Sequence, residues 1–202
     1  RVADCTYNAS EIVNLAKQAA DRGAKLIVFP ELCLTGYTCG DLFLQQTLLD
    51  GALSALETVR RETAGLNAAV VVGLPLMHEG KLYNAAAVLC GGKIAGVTPK
   101  QFIPNYSEFY EQRHFVSGAG VPFQTVSLLG QDTLFAGGEP LLFRCGSMPD
   151  FTFGVEICED LWVANPPSTR LAQAGATVIV NLSASDEIIG KASYRRDLVR
   201  QQ

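Results

Sequence analysis

Three side chains combine a nucleophile, an acid and an amine at comparable places along the chain. Glu31 follows the apolar run Lys25–Phe29 and Pro30, Lys100 follows Val97-Thr98-Pro99, and Cys158 follows Phe151–Ile157. In α/β sheets, reactive groups gather beyond the carboxyl ends of strands, so these positions are where chemistry is expected. A free thiol has a pKa near ~8.5 and is mostly protonated at neutral pH. It needs a base to become a nucleophile, and a nearby ammonium favours its thiolate. Taken singly, each residue has a plainer reading: a solvated loop Glu, a surface Lys, a core Cys. Position alone does not overturn these readings.

The elements that must carry these residues are visible as apolar runs. Lys25–Phe29, Ala68–Leu74, Phe151–Ile157 and Thr177–Leu182 read as strands, and their continuous apolar character predicts burial on both faces. Helical stretches lie between them. Ser10 is placed to cap a helix carrying Ile12, Ala16, Ala19 and Ala20, with Gly23 past its end. Asp41 is placed to cap a longer one carrying Leu44, Leu48, Ala52, Leu56 and Val59, ending near Gly65. Pro166 or Pro167 opens a third, through Leu171 and Ala174 to Gly175. Leu74–Val88 predicts a hairpin turning at Glu79-Gly80, and Gly91-Gly92 turns the chain again before Ile94–Val97. The order predicts an α/β domain with a mostly parallel sheet and an antiparallel portion. Asn105–Gly138 reads as a long irregular segment.

Composition removes several classes of function. The 202 residues are 48% hydrophobic and 18% charged, a globular balance with enough chain for one core. A net charge of −4 leaves no basic footprint for nucleic acid. No apolar run approaches the ~18 residues of a membrane span, and Arg1–Ser10 lacks the apolar stretch of a signal peptide. No membrane partner and a cytoplasmic location are therefore expected. The cysteines at 5, 33, 39, 90, 145 and 158 are scattered without CxxC spacing, and only His78 and His114 could help them hold a metal. Neither a disulfide framework nor a metal site is expected.

Motifs single the three reactive residues out. Phe29-Pro-Glu-Leu-Cys-Leu-Thr-Gly-Tyr37, Pro99-Lys-Gln-Phe-Ile-Pro-Asn-Tyr106 and Gly154-Val-Glu-Ile-Cys-Glu-Asp-Leu-Trp162 resemble, in order and spacing, the three motifs of the nitrilase (carbon–nitrogen hydrolase) superfamily. Glu31 to Phe43, Asn105 to Glu111, Cys158 to Trp162, and Asn181 to Ser185 with Ile189 to Ala192 are similar to the glutaminase domains of glutamine-dependent NAD synthetases. The resemblance implies a nitrilase-type α-β-β-α four-layer sandwich, incomplete at both ends of this chain. It also implies amide hydrolysis by a Glu31–Lys100–Cys158 triad through a thioester, with L-glutamine as substrate. Lys100 and the backbone N–H of Glu159 would stabilise the oxyanion.

By the same resemblance Tyr106, Ser185 and Lys191 bind glutamine. Glu159, Glu108 and Glu111 are the candidates for reading its ammonium group, and the sequence does not choose among them. Glu108, eight residues after Lys100, matches the supporting glutamate that relatives place beside the triad. No cofactor is expected in residues 1–202; ATP and Mg would serve a synthetase domain, the expected partner within a longer chain. Homo-oligomers are expected on resemblance alone. Two other readings remain open: a free-standing amidase or carbamoylase, separable by assaying glutamine beside linear amides, and a catalytically silent interaction domain, marked by Cys158 labelling no faster than Cys90.

Overall fold

The computed structural model describes residues 1–202. Its first helix, α1 (Cys5–Asp21), starts five residues before the expected Ser10 cap. Asp4 is the cap instead, its carboxylate accepting the Tyr7 N–H at 3.1 Å. Ser10 lies inside the helix, where its hydroxyl donates back to the Thr6 carbonyl at 3.0 Å. Cys5, Ala9, Ile12, Val13 and Ala16 form the buried stripe. The second helix, α2 (Gln46–Glu62), also lacks its expected cap. Asp41 sits in a preceding 3-10 turn (Gly40–Leu44) and binds Arg113 and His114. In both cases a local signal lost to a tertiary partner or to a better-placed acid.

The expected strands form as β1 (Leu26–Val28), β2 (Ala69–His78), β8 (Thr152–Ile157) and β9 (Val178–Leu182). β3 (Lys81–Cys90) and β4 (Lys93–Pro99) complete the expected meander. Glu79-Gly80 and Gly91-Gly92 both turn with positive φ at each residue (48° and 72°, 54° and 73°). Two-residue hairpin loops require this backbone because its twist matches that of the strands. A third such turn, Leu129-Gly130, joins β5 (Gln124–Leu128) to β6 (Gln131–Phe135). The segment expected to be irregular therefore contains a hairpin. β7 (Leu142–Arg144) was not anticipated either.

The strands form two sheets, ordered β1-β2-β3-β4-β6-β5 and β7-β8-β9. The mostly parallel expectation is corrected: β1–β2, β4–β6 and β8–β9 are parallel, and the other pairings are antiparallel. Three tight hairpins produce this mixture, because a two-residue turn can only join antiparallel neighbours.

The sheets pack face to face. Val71, Ala86 and Val88 of the larger meet Phe153, Val155, Ile157, Val180 and Leu182 of the smaller. α1 and α2 cover the outer face of the large sheet. α3 (Pro167–Gln173) covers the small one, its Leu171 lying so close to Gly154 that an added Cβ would meet it at 2.8 Å. The result is the α-β-β-α layering that the resemblance implies. α4 (Lys191–Gln201) buries no residue and runs beside the turn after β8, tied by Gln202 Nε2 to the Leu161 carbonyl at 3.1 Å. No helix is long and apolar enough to cross a membrane.

Candidate active site

Packing the two sheets brings the ends of β1, β4 and β8 together. Glu31 stands on a loop that leaves β1 and doubles back over β2. There Leu34 N–H donates to the Gly73 carbonyl at 3.1 Å, and a Cβ on Gly73 would meet Leu32 N at 2.3 Å. Glycine at position 73 is what lets the loop lie on the sheet. Lys100 is the first residue after β4 and Cys158 the first after β8. Cys158 has φ +46°, a left-handed conformation costly for a side chain with a Cβ. Asn181 Nδ2, donating to the Cys158 carbonyl at 3.4 Å, helps hold it.

Lys100 is fully buried, and its ammonium donates to Glu31 Oε1 at 2.8 Å and to Glu111 Oε1 at 2.7 Å. Asn84, on β3, donates from Nδ2 to Glu31 Oε1 at 2.7 Å and to Glu111 Oε2 at 3.3 Å. Tyr37 OH donates to Glu111 at 2.8 Å. Glu31 Oε2 accepts the Ala184 N–H at 3.1 Å, from the loop after β9. The Cys158 sulfur accepts from Ser183 Oγ at 3.4 Å.

The charges determine the resting protonation. Burial lowers the proton affinity of Lys100, but the Glu31 and Glu111 carboxylates outweigh it and hold the amine above its ordinary pKa. Burial, then the charge of Glu31, pushes the Cys158 thiol up to about 12, against the opposing pull of Lys100 and Ser183. Lys100 pulls towards the thiolate, as the sequence suggested, but does not outweigh burial and the charge of Glu31. Cys158 therefore rests as a thiol. Burial raises Glu111 too, opposed by Lys100.

The expected recognition residues line a cavity of about 390 Å³ onto which Cys158 opens, together with Tyr106, Glu159, Ser185 and Lys191. Tyr106 OH donates to Glu159 Oε2 at 2.9 Å. Lys191 pairs with Asp186 on the same wall. Glu108 lines the cavity but not the triad, so its expected place beside Lys100 is corrected: Glu111 stands there. The chain after Pro104 folds back, Glu111 N–H donating to the Pro104 carbonyl at 3.1 Å, and turns residue 111 inward. Glu111 is thereby consumed by Lys100, Asn84 and Tyr37, which leaves Glu108, Glu159 and the unanticipated Asp186 facing the cavity. Asn84 was also missed. A polar residue between Tyr83 and Ala85 in a buried strand was the available signal, since such a group needs partners.

Residues 1–199 match the carbon–nitrogen hydrolase family model. The chain is 44% identical over 209 residues to the glutamine-dependent NAD(+) synthetase of Mycobacterium tuberculosis, covering 99% of this chain and 30% of that one. The crystal structure of a glutamine-dependent NAD(+) synthetase from Cytophaga hutchinsonii superimposes with a TM-score of 0.84 at 28% identity, over 98% of this chain and 31% of that chain. An amidase of the nitrilase superfamily from Nesterenkonia, at 21% identity, shares the fold with a TM-score of 0.72, over 100% of this chain and 67% of that one. The chain thus spans about 30% of the length of the synthetases it matches.

Proposed function

The chain belongs to the carbon–nitrogen hydrolase family, and we propose that it is the glutaminase portion of a glutamine-dependent NAD synthetase. The observation that carries this reading is the convergence of Glu31 and Lys100 on Cys158, which opens onto a cavity whose wall holds Lys191 and three acids. A basic residue and carboxylates side by side suit an α-amino acid, which carries both charges; a simple amide needs neither.

Cys158 Sγ attacks the side-chain carbonyl carbon of glutamine as its proton passes to Glu31. The accepting atom is Oε2: Oε1 already receives two donors, Lys100 and Asn84, whereas Oε2 receives only the Ala184 N–H. The tetrahedral oxyanion is met by the Lys100 ammonium and the Glu159 N–H. Glu31 returns the proton to the departing nitrogen, releasing ammonia and leaving a thioester. It then takes a proton from water as the water attacks the thioester, and returns it to the sulfur as the carbon–sulfur bond breaks, giving glutamate and the free thiol. Glu111 holds the ammonium in place and keeps it charged throughout. The ammonia would be consumed by amidation of deamido-NAD in a synthetase domain, where ATP and Mg would act.

The test is ammonia release from L-glutamine by the natural full-length protein, beside a panel of linear amides and carbamoyl compounds. Glutamine should be the preferred substrate, and Cys158→Ala should remove the activity. Turnover of acetamide or propionamide that matches glutamine would overturn the substrate; undiminished release by Cys158→Ala would overturn the nucleophile.

A further inference from the structure

Asp160 touches none of the three reactive side chains, yet it holds the backbone on both sides of the site. The residue is 1% exposed. Oδ1 accepts the Gln101 N–H at 3.1 Å and the Phe102 N–H at 2.8 Å, and Oδ2 accepts the Ile157 N–H at 3.0 Å. Gln101 and Phe102 follow Lys100 at the end of a strand of the large sheet. Ile157 precedes Cys158 in the small sheet. One carboxylate therefore brackets the lysine and the thiol, reaching across the seam between the sheets.

We propose that Asp160 is a positioning residue of the reaction, fixing the Lys100 ammonium relative to the Cys158 sulfur by clamping the two strand ends to each other. The proposal rests on the triad chemistry above. A purely local role, capping the short turn Cys158–Leu161, accounts for the bond to Ile157 but not for the two bonds to the other sheet. The chemistry of the site also argues against it. Burial pushes the carboxyl up to about 7, against the Ile157 and Phe102 amides that favour the anion. A buried carboxylate is a costly group for capping one turn, which a Ser or Asn does as well. Other bonds hold the segment after Lys100: the Gly118 N–H to the Lys100 carbonyl at 2.8 Å, Ser117 Oγ to the Gln101 carbonyl at 2.5 Å, and Arg170 to the Gln101 side chain at 2.6 Å. None of them reaches the turn that carries Cys158. Asp160 makes that link.

The test is Asp160→Asn in the natural full-length protein. An amide can keep one pair of bonds, but it sets an NH₂ against the remaining N–H, so the clamp opens on one side. The expected result is a fall in kcat for glutamine of about 100-fold, the scale of a ~1 Å misplacement of a reacting group. The glutamine Kd, measured on a Cys158→Ala background to stop turnover, should stay within about 3-fold, because the cavity wall is untouched. An amide-to-ester replacement at Phe102 deletes one donor while leaving Asp160 in place, and should lower kcat in the same sense by less. Unchanged kcat in folded Asp160→Asn, checked by circular dichroism, overturns the proposal. If Asp160→Asn does not fold, the ester decides, and unchanged kcat there overturns it. Should the wild type prove inactive on glutamine, the substrate reading fails separately. The clamp is then read from iodoacetamide labelling, which should change at Cys158 and not at Cys90.

Discussion

The buried cluster beside Cys158, the floor of the site, and the wall of the cavity onto which Cys158 opens are built by opposite means. Glu31, Asn84, Lys100 and Glu111 on the floor are almost fully buried, lie on or beside strands, and bond one another at 2.7–2.8 Å, with only the Asn84 Oδ1 left without a partner among them. On the wall, which loops and a helix start supply, Tyr106 and Glu108 are exposed and the Asp186–Lys191 pair is partly exposed. Burial makes each floor charge depend on every other, because an unpaired charge has no water to fall back on. The wall charges are screened and replaceable. Chemistry is thus placed where geometry is over-determined, and recognition where it can adjust.

The comparison breaks if floor and wall substitutions behave alike. On the proposed function, Cys158→Ala in the natural full-length protein has the largest expected effect: glutamine-dependent NAD formation should fall by at least about 10⁴-fold, the scale seen when a nucleophile is removed. Synthesis from ammonium salts should persist, measured in parallel from deamido-NAD and ATP. Equal loss with both nitrogen donors would mean that the fold, not the thiol, had failed.

Lys100→Ala should come next, because it leaves two buried carboxylates without their cation. Removing one partner of a buried pair costs about 3–5 kcal/mol, so the denaturant midpoint should drop sharply. The cost depends on pH. Without the ammonium, Glu111, already raised by burial, is raised further above its unfolded value. Stability should therefore be retained in acid and lost as pH rises through that folded pKa. A variant whose stability instead improved with pH between 4 and 8 would show that the carboxylates are not confined together.

A third expectation sharpens the account of the floor. The charge of Glu31 helps hold the Cys158 thiol up near 12. Glu31→Gln should abolish turnover yet speed iodoacetamide labelling of Cys158 at pH 8–9, since removing the anion lowers the thiol pKa. Slower labelling than wild type would mean that Glu31 stabilises the thiolate.

On the wall, effects should shrink and change kind. Lys191→Ala should raise the KM for glutamine about 10-fold with kcat nearly unchanged, the signature of binding shared by ground and transition states. Asp186→Asn should do the same more weakly, and its effect should vanish when glutamine is replaced by its analogue lacking the α-amino group. A fall in kcat larger than the rise in KM for either variant would move that residue from the wall to the floor.

Much of this architecture was legible along the chain. The four apolar runs became strands, and Glu79-Gly80 and Gly91-Gly92 became turns, because each is encoded within a few consecutive residues. What escaped had weak local signals. The Leu129-Gly130 turn lacks the Asn or Asp that advertises such a backbone, and α4 has no apolar stripe because it buries nothing. Ser10 and Asp41 carried cap chemistry that was not used, Ser10 because Asp4 starts the helix earlier, Asp41 because Arg113 and His114 claim it.

The sequence by itself determined which groups could react and on which strand ends they stand, since residue type and apolar pattern are properties of short windows. It could not determine which distant groups complete them. Glu111 rather than Glu108 faces Lys100 because the loop between them folds back, a choice made by Pro104 and the burial of Glu111, not by spacing. Asn84 reaches Glu31 and Glu111, and Asp160 reaches the residues after Lys100, only once strands far apart in the chain are stacked in two facing sheets. Those contacts exist because buried polar groups must find partners, and the partners available are set by the packing of the whole domain.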